Sequence, residues 1–147
     1  MCEKFIAKVF EDDVCLAGSN LAVSRQSIAV QERYILEPPF PNPQDGIIGF
    51  QGNSSTLLGS SNWFQSLCDS HTFDECRFGL ALGTDDTGTQ YLGGVAKDSF
   101  VGEMSTVPIS EPWTTWGDIV YNGTVFDRGA RMFTDSGTAV IFGYVTA

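Results

Sequence analysis

The sequence predicts an all-β fold, and three observations predict it. Apolar residues recur with period two in short runs, glycine- and asparagine-containing turns separate those runs, and a single stretch carries helical spacing. With 147 residues, 42% of them apolar and 18% charged, the chain is too apolar to be disordered and is long enough for a real core, as one ordinary domain or a piece of something larger.

Taken in order, Val14 and Leu16, Leu21 and Val23, and Ile28 and Val30 alternate as in half-buried strands, with Ala17-Gly18-Ser19-Asn20 as a turn after the first pair. Four prolines, Pro38, Pro39, Pro41 and Pro43, make an exposed loop with few backbone donors. Asp45-Gly46-Ile47-Ile48-Gly49-Phe50 is then a short apolar segment framed by glycines. The helical stretch runs from Ser61 to Cys68, with Ser61 as N-cap and Trp63, Phe64 and Leu67 on one face. Phe78 to Leu82 and Gln90 to Val95 read as two strands joined by a hairpin loop, Thr84 to Thr89, in which Gly88 supplies a positive φ. Strand-like runs follow at Met104 to Ile109, at Ile119 to Tyr121 and, after an Asn122-Gly123 turn, at Val125-Phe126. The last segment is Met132 to Gly143.

Charge narrows the function classes. The net charge of -10 rests on only eight lysines and arginines, with no basic stretch, so neither nucleic acid nor an anionic membrane surface is an expected partner. No apolar run approaches the ~20 residues of a membrane span. The N-terminal residues, with an acidic side chain at Glu3 and no sustained apolar core, do not read as a signal peptide. Two N-glycosylation sequons nevertheless occur, Asn53-Ser54-Ser55 and Asn122-Gly123-Thr124, which leads to the expectation of a chain that has lost its true beginning. Cys68 and Cys76 are close enough to close a small loop by a disulfide, whereas Cys2 and Cys15 could pair or stay free. A 68–76 bridge would contribute on the order of 2–3 kcal/mol. None of the four cysteines has zinc-ligand spacing and His71 is the single histidine, so no metal site and no cofactor are expected.

Two loops are candidates for a catalytic carboxylate: Asp86-Thr87-Gly88-Thr89 and Asp135-Ser136-Gly137-Thr138. A carboxylate that shares a proton with a second one must sit in a dry place, because like charges so close cannot both ionise. Such a loop should lie between buried strands and carry small residues. Asp135 fits: Met132-Phe133 precede it, Ala139-Val140-Ile141-Phe142 follow it, and an aspartate between apolar runs is costly unless satisfied. Asp86 does not, because Gly83-Thr84-Asp85 and Gln90 make its surroundings polar; it reads as a hairpin turn.

With Asp135 placed, the chain resembles the pepsin-like aspartic peptidases, most nearly a secreted fungal member. The likeness is collinear over nearly all of the chain. Asp12-Asp13-Val14-Cys15-Leu16-Ala17-Gly18 resembles the strand and turn after the family's flap, and Pro43 to Phe50 its first apolar-apolar-glycine segment. Phe78 to Val95 resembles the strands leading to the bridge between lobes, and Gly94-Val95 to Val101-Gly102 with Val107-Pro108-Ile109 the beginning of the second lobe. Phe133-Thr134-Asp135-Ser136-Gly137-Thr138 resembles the second catalytic loop. The resemblance implies a bilobal pepsin-like fold of which only the central portion is present, with residues 1–97 as the later part of lobe one, including the inter-lobe strands, and 98–147 as the opening part of lobe two, ending just after the catalytic loop.

The resemblance also implies roles. Asp135 would be one of two aspartates that activate water for attack on a peptide carbonyl. Thr138 would hydrogen-bond that carboxylate, Ser136 would reach the matching loop of the other lobe, and the Gly137 backbone would contact a polypeptide substrate. Ile47, Ile48 and Gly49 would support the other catalytic loop from beneath. The family's first Asp-Thr-Gly loop and flap tyrosine have no counterpart in these residues, and Ala7 stands where the family usually has glycine. The expectation is therefore an aspartic endopeptidase, extracellular or vacuolar, in a truncated chain that lacks segments or completes its pair as a homodimer. Trp113, Trp116 and Tyr121 support an alternative, a non-catalytic peptide- or carbohydrate-binding protein on the same fold.

Overall fold

The computed structural model describes residues 5–34, 45–52, 59–85, 87–110, 113–138 and 140–141. Among the described residues the chain is all-β apart from one short helix and a 3-10 turn, and its contacts divide it into two compact units, residues 1–103 and 104–147.

The first unit begins with a long antiparallel hairpin. Strand β1, Phe5–Cys15, pairs with β2, Ala22–Tyr34, in a register that sets Phe10 opposite Ile28 and Cys15 opposite Ala22. Gly18 turns the chain at φ +79°, and the Ser19 N–H donates to the Leu16 carbonyl at 3.1 Å. The sequence suggests separate short runs around Val23 and Ile28, but β2 runs unbroken through the polar Ser24-Arg25-Gln26 between them. A bulge makes this possible: Arg25 adopts φ +55°, its N–H donates to Asp13 Oδ1 at 3.0 Å, and its guanidinium donates to Glu11 Oε2 at 2.8 Å. An extra residue in one strand bends the ladder without ending it.

Helix α1, Trp63–Asp69, carries the core of this unit. Trp63, Phe64, Leu67 and Cys68 are buried, and Leu67 is fully enclosed. The cap is Asn62 rather than Ser61: its Oδ1 accepts the Gln65 N–H at 2.9 Å, satisfying one of the donors that a helix start leaves without an intrahelical partner. Phe64 stacks on Phe50 at 5.1 Å and meets the edge of Phe78 at 5.4 Å, so the helix, the 45–50 segment and β3, Phe78–Leu82, converge on one aromatic cluster. Polar atoms in this contact are paired. Trp63 Nε1 donates to the Val14 carbonyl at 3.1 Å, and the buried Gln26 amide donates to the Ser61 carbonyl at 3.0 Å while accepting from the Ser66 hydroxyl. Cys68 is bonded to Cys76, tying the end of α1 to the segment before β3. Cys15 is a free, exposed thiol, and Cys2 lies outside the described residues.

Strand β3 pairs with β4, Gly88–Leu92, from Phe78 opposite Leu92 to Leu82 opposite Gly88. Gly88 does not take the positive φ expected of it, because it is the first residue of β4; the loop is closed one residue earlier by the Gly83 N–H donating to the Thr87 carbonyl at 2.8 Å. What position 88 requires is room, since a Cβ there would stand 3.1 Å from the Ala81 carbonyl oxygen.

The second unit is built on the hairpin of β5, Thr114–Tyr121, and β6, Thr124–Phe133. Asn122 at φ +48° and Gly123 at φ +76° form its two-residue turn, the pairing of left-handed residues that matches strand twist. A bulge near Asp118 is held by that side chain, which accepts the Gly129 N–H at 2.9 Å and the Arg128 guanidinium at 3.2 Å. The expected strand at 104–109 is absent; that segment is irregular up to the Ser110–Thr114 bridge.

Candidate active site

The Asp135 loop follows directly from β6. Its approach is fixed by the Thr134 N–H, which donates to the Trp113 carbonyl at 3.3 Å, so the residue before β5 anchors the residue after β6. The sequence offers no local sign of this pairing, because it depends on hairpin register.

Within the loop the carboxylate folds back on its own chain. Asp135 Oδ1 accepts the Gly137 N–H at 2.9 Å, Oδ2 accepts the Thr138 hydroxyl at 2.6 Å, and the Thr138 N–H donates to the Asp135 carbonyl at 3.2 Å. Gly137 matters here through what it lacks, since a Cβ would sit 3.2 Å from Oδ1 and crowd the carboxylate. The Thr138 hydroxyl and then the Gly137 N–H hold the Asp135 carboxyl below the ordinary aspartate range, against a smaller opposing effect of desolvation.

The surroundings differ from the sequence expectation. Asp135 is exposed rather than buried, and so are its apolar flanks: Phe133 is 70% accessible, Val140 59% and Ile141 100%. β6, which leads into the loop, is hydrogen-bonded only to β5 among the described residues. Ser136 is exposed, and its hydroxyl has no partner among the described residues. Ala139 and Phe142 lie outside the described side chains.

The remaining candidates belong mostly to the first unit. Ile47 and Ile48 are exposed, at 84% and 60%, and with Gly49 they line an open groove of about 590 Å³ whose other wall includes Val14, Ile28 and Trp63. Asp86 and Asn53 lie outside the described residues, and the segment around Asp86 is the β3–β4 connection. Asn122 stands exposed at the tip of the β5–β6 hairpin. Trp116 and Tyr121 are largely exposed, at 59% and 75%, whereas Trp113 is half-buried.

Chemically, the loop presents one oriented, ionised carboxylate with a free face toward solvent. Such a group can take a proton from water. It cannot also supply the proton that a carbonyl oxygen gathers during attack, a task that falls to a second acid. No curated protein matches the chain at a significant level. The family model described as eukaryotic aspartyl protease matches residues 5–146, which spans both units and the whole Asp135 loop. On that match, collinear with the loop geometry, the chain belongs to the eukaryotic, pepsin-like aspartyl protease family.

Proposed function

We propose that this chain supplies one half of the catalytic pair of an aspartic endopeptidase, with Asp135 as the carboxylate that stays ionised and draws a proton from the attacking water. The observation that carries this reading is the clamp on Asp135 from the Gly137 N–H and the Thr138 hydroxyl. Two carboxylates sharing one proton divide the work: one is held ionised and the other carries the proton, and the apparent pKa values belong to the pair. A carboxyl already lowered by its own loop suits the ionised part. Ser136, exposed and without a hydroxyl partner among the described residues, is free to bond the loop that brings the second aspartate.

The substrate is a polypeptide, in keeping with the family. The working environment is extracellular or vacuolar and acidic, as in a secreted fungal enzyme. The second carboxylate comes from chain segments beyond these residues or from a second copy of the chain. A second reading, peptide or carbohydrate binding without catalysis, draws on the exposure of Trp116.

The test is cleavage of an internally quenched peptide near pH 4, with and without pepstatin, by the chain and by Asp135→Asn. Pepstatin-sensitive cleavage that disappears in the variant is the expected pattern wherever cleavage occurs. Pepstatin-sensitive cleavage that survives Asp135→Asn overturns the assignment. Saturable ligand binding without turnover would favour the second reading.

A further inference from the structure

The tip of the β5–β6 hairpin combines three features that the proposed peptidase chemistry does not use. First, Asn122-Gly123-Thr124 is a sequon, in which the hydroxyl two residues on is what makes the asparagine an acceptor. Second, the turn geometry displays it. Asn122 and Gly123 occupy the two left-handed positions of the loop, at φ +48° and +76°, and the Asn122 side chain is exposed with no hydrogen bond among the described residues. Third, the register sets Tyr121 directly opposite Thr124, immediately before and after the turn. Tyr121 is 75% exposed and pairs with Phe126, itself 68% exposed, at a ring separation of 6.4 Å. Two large rings left in water at the end of a ribbon are an apolar surface without a cover.

We infer that Asn122 is an N-glycan acceptor and that the first sugar packs its C–H face across the ring of Tyr121. In the covalent step, Asn122 Nδ2 forms a bond to C1 of a lipid-pyrophosphate-linked oligosaccharide. The C1–O bond to the pyrophosphate breaks, the lipid pyrophosphate leaves with that electron pair, and the amide nitrogen gives up one proton. The geometry then does the rest. In a two-residue turn the acceptor is adjacent to Tyr121, whose partner across the strands is Thr124, so the sugar is delivered beside an aromatic face and a threonine methyl together. The electron-rich face of an aromatic ring attracts the weakly positive C–H groups of a pyranose, and covering it removes apolar surface from water. The hairpin thereby gains a cap at the end where its side chains are least covered.

The inference rests on passage through a secretory pathway, which is part of the reading above, and the experiment removes that dependence by supplying a signal peptide. The full chain, carrying Asn53→Gln so that one sequon remains, is expressed in a eukaryotic secretory host. The expected result is a mobility shift removed by peptide-N-glycosidase and absent in Asn122→Gln and in Thr124→Ala. This readout reports on the whole cell extract and does not require a folded product. No shift in the chain that retains Asn122 overturns the acceptor site, whatever the natural location of the protein.

Stacking is read on the glycoprotein trimmed to its first sugar, against the same chain made without glycan, each with Tyr121 or with Tyr121→Ala. The sugar should raise the thermal midpoint by about 2–4 °C when Tyr121 is present and by less than half of that in Tyr121→Ala. Equal shifts in both backgrounds overturn the stacking. Proton NMR of the same samples reads the contact independently of unfolding: the ring should move the sugar proton resonances upfield, and unshifted resonances in the Tyr121 form likewise overturn it.

Discussion

Asp135 and Thr138 lie three residues apart, and the 2.6 Å bond between them is the largest cause of the lowered Asp135 pKa. Because the folded-state pKa of Asp135 is lowered, the order that its carboxylate imposes is fully present above the ordinary aspartate range and is lost as pH falls through the lowered value. The largest cause is the Thr138 hydroxyl, so Thr138→Val should move the Asp135 titration upward, toward an ordinary aspartate. Carboxyl-carbon NMR titration of the two proteins measures this directly, and the protection of the Gly137 amide should disappear at a higher pH in the variant. The bond itself was expected from the family resemblance, which pairs Thr138 with that carboxylate. The water around it was not. Apolar neighbours at Phe133 and Val140 suggest burial, but burial is decided by what packs over the loop, and that information is not local in sequence.

At the scale of elements, α1 shows how much a short pattern can specify. Its seven residues are too few to be stable from propensity alone, and its order comes from burying one face. Leu67→Ala should therefore cost about 2–5 kcal/mol, whereas Asn62→Ala, which removes a single cap bond, should cost about 1 kcal/mol. Urea denaturation of both variants, followed by the fluorescence of Trp63 and its neighbours, checks the order as well as the size. The apolar spacing of Trp63, Phe64 and Leu67 made the face legible, while the choice between Ser61 and Asn62 as cap turned on backbone placement that the pattern leaves open. Strand limits were less legible for a related reason. Arg25 in a left-handed conformation carries β2 across a polar stretch, and the stabilising partners, Asp13 and Glu11, sit on the opposite strand. The Asn122-Gly123 turn was legible because both residues favour the one geometry that a two-residue hairpin requires.

At the scale of the whole chain, few apolar side chains are buried among the described residues. With 42% apolar residues, the only apolar side chains buried among the described residues are those of one helix, while β5 and β6 expose Trp116, Ile119, Val120, Phe126 and Phe133. Exposed apolar surfaces of that kind mark places where something else packs. The family could be read from the order of its segments along the chain; the state of a catalytic pair could not, because a pair is made by two loops and its geometry is not local in sequence. Asp135 is proposed as half of a catalytic pair whose second carboxylate is not its own chain's. The rate of peptide cleavage near pH 4 as a function of chain concentration tests this most directly. No component linear in concentration is expected, with any pepstatin-sensitive turnover rising faster than linearly as second copies supply the partner Asp135. A rate that is linear in concentration down to the lowest chain concentrations would contradict it, because a single chain would then hold both carboxylates.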